Sequence, residues 1–218
     1  MARTRPNRRG RAADRGPNLT VYVVVAVVVL GVVAVVLSRG GGDDDDGGAA
    51  GGETRAVTVS GADTLPPFTD PSTDPARGAE VPTLTGERFD GGAITIPGSR
   101  PAVVVFLAHW CSHCQAEVPR VAAWLAANRP PDGVDLFAVS TSVNRAQGNF
   151  PPSAWLEREG WEIATLVDSD DNAAATAWAI GGFPFFVAVN GNGEVVARIS
   201  GEIETSTLEA LIEAARTG

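Results

Sequence analysis

Ala102–Ala108 reads AVVVFLA, an unbroken apolar run. Side chains along a strand point alternately to opposite faces, so a strand that is apolar at every position has to be covered on both. Three further runs suit the same kind of sheet: Leu136–Ser140 (LFAVS), Ile163–Val167 (IATLV) and Phe185–Val189 (FFVAV). Asn190-Gly191-Asn192-Gly193 supplies residues that tolerate positive φ, which predicts a tight turn into a returning strand over Glu194–Ile199. Helical spacing of apolar residues covers Cys111–Asn128, Pro152–Glu159, Asn172–Trp178 and Thr205–Arg216; the last has Thr205 as its N-cap and Leu208, Leu211 and Ile212 on one face. Strands alternating with helices and closing on a hairpin predict an α/β fold with a central mixed sheet flanked by helices. No internal repeat is evident.

This texture begins at about Ala79. Far upstream, Leu19–Leu37 carries no charge and, at 1.5 Å per residue, matches roughly the thickness of the hydrocarbon core of a bilayer. It is read as a transmembrane helix. A cleaved leader has a shorter apolar stretch and a small-residue cleavage site, which Val35-Val36-Leu37-Ser38 does not offer, and no cysteine follows to accept lipid. Arg3, Arg5, Arg8, Arg9, Arg11 and Arg15 precede the run, whereas Arg39 and the acidic Asp43–Asp46 follow it. The positive-inside rule makes residues 1–18 a cytoplasmic basic tail and places everything beyond Leu37 outside the cytoplasm, on a single-pass anchor seated in the lipid bilayer through residues 19–37. Ala26 and Gly31 lack the small-xxx-small spacing that pairs such anchors. Residues 38–78, rich in Gly, Asp, Pro, Ser and Thr, read as a disordered linker whose ends would lie roughly 35 Å apart as a flexible coil. Within it Ala56–Ser60 alternates weakly and is given no role. Residues 79–218 form the folded domain.

With 44% hydrophobic residues the chain can bury a proper core, and its net charge of -9 lacks the basic field that captures phosphates, so nucleic acid is excluded as a partner class. All 17 basic residues are Arg, which removes any mechanism that needs a catalytic lysine.

The chain has 2 cysteines, and they stand together in His109-Trp110-Cys111-Ser112-His113-Cys114. A structural disulfide stabilises by closing a loop, and a two-residue spacer closes almost none, so a staple explains this pair poorly. At the end of a buried strand and the start of a helix, Cys111 gains exposed backbone N–H groups and the positive end of the helix dipole, both of which favour the thiolate that attacks disulfides. Cys114, one turn on, is placed to resolve the mixed disulfide. A Cys-x-x-Cys pair after a strand in an α/β pattern, outside the membrane, reads as a redox-active disulfide.

From about Ala79 to its end the chain resembles the TlpA/ResA-type branch of the thioredoxin superfamily. The likeness rests on the strand into Trp110-Cys111-x-x-Cys114, on Glu117 and Pro119 after it, and on Gly182-Phe183-Pro184 ahead of a strand and the Asn-Gly hairpin. It implies a thioredoxin-like fold and an extracytoplasmic thiol-disulfide oxidoreductase. Such an enzyme acts on protein dithiol or disulfide substrates, is served by a membrane or extracytoplasmic redox partner, needs no cofactor or metal, and often works reductively, as in cytochrome c maturation. It further implies that Glu117 lies beside the cysteines and helps manage protons. Pro184 would then be cis and face them, with Trp110, Phe183 and Pro184 bordering a substrate groove. Phe183 is bulkier than the residue usual before this proline. The buried aspartate of the cytoplasmic thioredoxin pattern is replaced by Val105. Pro119 should kink its helix.

His113, in the spacer, can stabilise a neighbouring thiolate, which would make the disulfide more oxidising and resembles the DsbA-type pair; the direction of electron flow stays open at this point. His109 is read as a partly exposed bystander. Metal delivery is the main rival, because His109, Cys111, His113 and Cys114 are suitable copper or zinc ligands. Copper carriers of the Sco type, however, use a wider cysteine spacing and a distant histidine, and no histidine follows His113. A peroxiredoxin-like peroxidase would need Pro and Thr where Val104 and Ala108 stand. A noncatalytic peptide-binding module would have no use for an intact cysteine pair.

Overall fold

A computed structural model describes residues 52–128 and 132–218. The basic tail, the apolar run 19–37 and the first part of the expected linker lie outside the described residues. Among those described, no helix is long and apolar enough to cross a membrane.

Ala102–Leu107 is a strand, β4, buried at every position. It is the middle of a five-stranded sheet ordered β6-β5-β4-β7-β8. On one side it pairs in parallel with β5 (Asp135–Ser140), which pairs in parallel with β6 (Ala164–Val167). On the other it pairs antiparallel with β7 (Phe185–Val189), which turns through Asn190–Gly193 into β8 (Val195–Ser200). The turn closes by Asn190 and Glu194 pairing across it, with Gly193 at φ 82°, a conformation costly for any residue with a Cβ. The mixed sheet is therefore as expected.

The two faces of β4 enter two separate cores, which is why its sequence shows no alternation. Val103, Val105 and Leu107 pack with Cys114, Val118 and Val121 of α1 (Ser112–Ala127), Trp155 of α2 (Pro152–Arg158) and Leu208, Leu211 and Ile212 of α4 (Thr205–Thr217). Val104 and Phe106 pack on the other face with Trp178, which follows α3 (Ala173–Ala177), and with Leu84 and Ile96. Helix α4 begins one residue earlier than expected, with Glu204 rather than Thr205 as its N-cap. Pro119 lies inside α1, and the helix continues through it.

The remaining strands form a separate antiparallel sheet, ordered β1-β2-β3, from Thr58–Gly61, Pro82–Glu87 and Ala93–Ile96. It corrects the linker expectation: from residue 52 onward the supposed coil is fixed to the domain. Thr58 stands opposite Thr85 in the ladder, so the weakly alternating stretch is a strand from Thr58 onward. The Glu53 carboxylate accepts the Ser153 N–H at 3.0 Å and the Ser153 hydroxyl at 2.7 Å, capping α2 from 100 residues away. The ring of Phe68 meets Phe185 edge-on at 5.1 Å. Asp74 forms a fully buried ion pair with Arg198 of β8, whose Nη2 also donates to the Pro66 carbonyl at 2.9 Å. Few apolar side chains hold this segment; hydrogen bonds and one buried ion pair do, and composition carries no trace of either.

Candidate active site

Strand β4 ends at Leu107, and a turn closed by the Cys111 N–H on the Ala108 carbonyl (3.0 Å) delivers Cys111 as the N-cap of α1. The sulfur thus sits where the first-turn N–H groups favour negative charge, and no acidic side chain in that turn opposes them. Cys111 is part-exposed and its S–H points at the Phe183 carbonyl, 3.4 Å away. One turn on, Cys114 has no exposed surface. Burial above all pushes the Cys114 thiol far up, with Cys111 and Glu117 adding to the effect against a backbone contact from Ala108. The two sulfurs are chemically unequal, one accessible and one kept protonated and out of reach.

The loop facing Cys111 comes from the start of β7. The Phe183–Pro184 peptide bond is cis, and the Phe183 carbonyl is the one that faces Cys111. Trp110 stands edge-on to Phe183 at 6.1 Å and donates its indole N–H to the Ser142 carbonyl at 2.7 Å. Between them and α3 lies a groove of about 540 Å³, lined by Trp110, Cys111, Asn172, Ala179, Ile180 and Phe183 among others. Ser142, Asn172 and Ala179 all hold positive φ although none is glycine. Such strain persists only where surrounding structure enforces it, and here it borders the groove.

Glu117 is 2% exposed, on the cysteine side of α1, and accepts the Ile203 N–H at 2.9 Å. Burial chiefly raises its proton affinity, with Glu202 and Glu204 contributing, while the Ile203 N–H and Arg120 pull the other way.

Both histidines are placed otherwise than their sequence positions suggest. His109 is 1% exposed, not a partly exposed bystander. Its Nδ1 lies 2.8 Å from the Gly148 carbonyl and its Nε2 accepts the Asn144 N–H at 3.1 Å, which fixes a neutral tautomer and ties down the loop after β5. With both nitrogens engaged, His109 has no lone pair for copper or zinc. His113 is turned to Glu202, with Nδ1 2.6 Å from Oε1. Its ring nitrogen is thus engaged by Glu202, in the loop before α4. Arg120 and Glu202 were not foreseen. Arg120, three residues after Glu117, could have been found from helix spacing; Glu202 lies 89 residues from its partner His113, and no local signal marks it.

The Redoxin family pattern matches residues 63–212. The chain belongs to the Redoxin family. Among curated proteins, the thiol:disulfide interchange protein HelX of Rhodobacter capsulatus is 25% identical over 138 residues, covering 62% of this chain and 68% of HelX. Among solved structures, StoA from Bacillus subtilis superposes with a TM-score of 0.52 at 20% identity, covering 63% of this chain and 98% of that one. The thioredoxin domain of a thiol-disulfide oxidoreductase from Bacteroides vulgatus gives 0.51 at 22%, covering 63% and 98%. These likenesses show the thioredoxin-like fold. A Redoxin-family domain with a Cys-x-x-Cys pair heading a helix opposite a cis-proline is a thiol-disulfide oxidoreductase.

Proposed function

We propose that this Redoxin-family protein is a membrane-anchored, extracytoplasmic reductant of protein disulfides that works through Cys111 and Cys114. The observation that carries this reading is the inequality of the two sulfurs: Cys111 opens onto the groove beside cis-Pro184, while Cys114 is wholly enclosed. The Cys111 thiolate attacks a substrate disulfide, forming a mixed disulfide and expelling one substrate thiol. Cys114 then gives up its proton, with Glu117 as the nearby acceptor, and attacks the Cys111 sulfur. The Cys111–Cys114 disulfide forms, the second substrate thiol leaves, and two electrons have passed to the substrate. A dithiol partner at or outside the membrane returns them. Trp110, Phe183 and Pro184 border the site where the substrate segment lies.

The anchor is residues 19–37, oriented by the arginines before it. Partners are accordingly sought at the membrane surface, in keeping with the TlpA/ResA-like reading and a reductive task such as cytochrome c maturation. The reductive direction rests on the TlpA/ResA-like pattern, with the His113 ring turned to Glu202. Equilibrating the chain with dithiothreitol and glutathione should give a reduction potential near thioredoxin's, about -270 mV; a value near DsbA's, about -120 mV, would reverse the direction.

A further inference from the structure

Behind the cysteine pair, one guanidinium stands between two carboxylates. Arg120 Nη2 lies 2.7 Å from Glu202 Oε2 but 3.6 Å from Glu117 Oε2. The first is a charge-assisted hydrogen bond and the second is beyond hydrogen-bond distance. Glu202, in the loop between β8 and α4, is held from the opposite side by His113 at Oε1 (2.6 Å), so each carboxylate oxygen has its own partner. Arg120 is further engaged by the Ile203 carbonyl at 3.4 Å. We propose that Glu202 is a positioning residue for the redox site: it holds the Arg120 guanidinium off Glu117 and so leaves the buried carboxyl in control of its own proton.

The groups acting on Glu117 are few. From its own helix come Arg120 and the neighbouring Cys114; from the β8–α4 loop come Glu202, Glu204 and the Ile203 N–H; His113 acts on it through Glu202. Burial is the largest influence and favours the protonated carboxyl, and Glu202 adds to it both by its own charge and by occupying Arg120. Removing the Glu202 charge takes away a negative neighbour and frees Arg120 to close the remaining gap. Both changes favour ionised Glu117, so they reinforce each other. The importance of this for turnover rests on the reading that Glu117 exchanges a proton with Cys114, and the test separates the two.

In the full-length reduced chain, the side-chain carboxyl of Glu117 is followed by carbon NMR across a pH series and assigned by its loss in Glu117→Gln. Glu202→Gln should move the Glu117 midpoint down by about one pH unit, the scale expected when a carboxylate gains a close cation. Arg120→Gln should move it up, and adding Glu202→Gln to Arg120→Gln should have a smaller effect than Glu202→Gln alone. A Glu117 midpoint that stays put or rises in Glu202→Gln overturns the proposal. If the midpoint falls as expected while the pH profile of substrate reduction does not follow it, the positioning role stands and the proton-transfer role of Glu117 fails.

Discussion

Cys111→Ser is expected to abolish disulfide reduction, lowering turnover by about three orders of magnitude or more, because a serine hydroxyl is not ionised at neutral pH and Cys114 cannot take over. The buried sulfur has no exposed surface and its thiol is driven toward the protonated form, so it can reach neither a substrate nor the reactive state unaided. Folding should be little affected, since Cys111 is part-exposed and its S–H contact to the Phe183 carbonyl, at 3.4 Å, is weak. Reduction of a disulfide-linked test protein with dithiothreitol as electron source measures the loss. Retention of more than a small fraction of turnover would mean that another group attacks the substrate.

Asp74→Ala is expected to destabilise the fold by about 3–5 kcal/mol, because it leaves the Arg198 guanidinium buried without its counter-ion. Both side chains of the pair are essentially inaccessible, at 1% and 0% exposure. Arg198 Nη1 already lacks a hydrogen-bond partner among the described residues, so the pair is not an optimised one. Replacing both members with apolar side chains, as in Asp74→Leu with Arg198→Met, should recover most of the loss. Urea unfolding of the two variants measures both effects. The pH dependence follows with a definite sign. Burial alone would raise the Asp74 carboxyl, but Arg198, the Ala76 N–H and Arg77 together hold it below the usual carboxylate range. A carboxyl so depressed stabilises the fold at every pH above its unfolded value, and that contribution is lost as pH falls through its folded value. The acid-sensitive component should therefore be missing from Asp74→Ala.

The sheet was legible because its strands are apolar on both faces: Ala102–Leu107 and Phe185–Val189 declare themselves without help from any other part of the chain. The cysteine pair and the proline opposite it were legible for a different reason, since the chemistry requires those residue types at fixed places in the topology. What stayed hidden is held by partners distant in sequence. Pro82, Leu84, Ile94 and Ile96 give β2 and β3 only short alternation, and β1 has no buried residue to mark it as a strand. The segment from Glu53 to Ala76 reads as coil because its fixings are Ser153, Phe185 and Arg198, each on an element distant in sequence. His109 and His113 were visible as residues, but their partners Gly148, Asn144 and Glu202 were not, and the partners decide what an imidazole does.

The central claim is the division of labour between the two sulfurs, and trapping tests it most directly. Cys114→Ser and Cys111→Ser variants of the full chain, produced in cells and quenched with acid and alkylating agent, are compared for mixed disulfides with other proteins by non-reducing electrophoresis and mass spectrometry. The account predicts that Cys114→Ser accumulates complexes joined through Cys111, while Cys111→Ser accumulates none. Equal trapping by both variants, or complexes joined through Cys114, would contradict it.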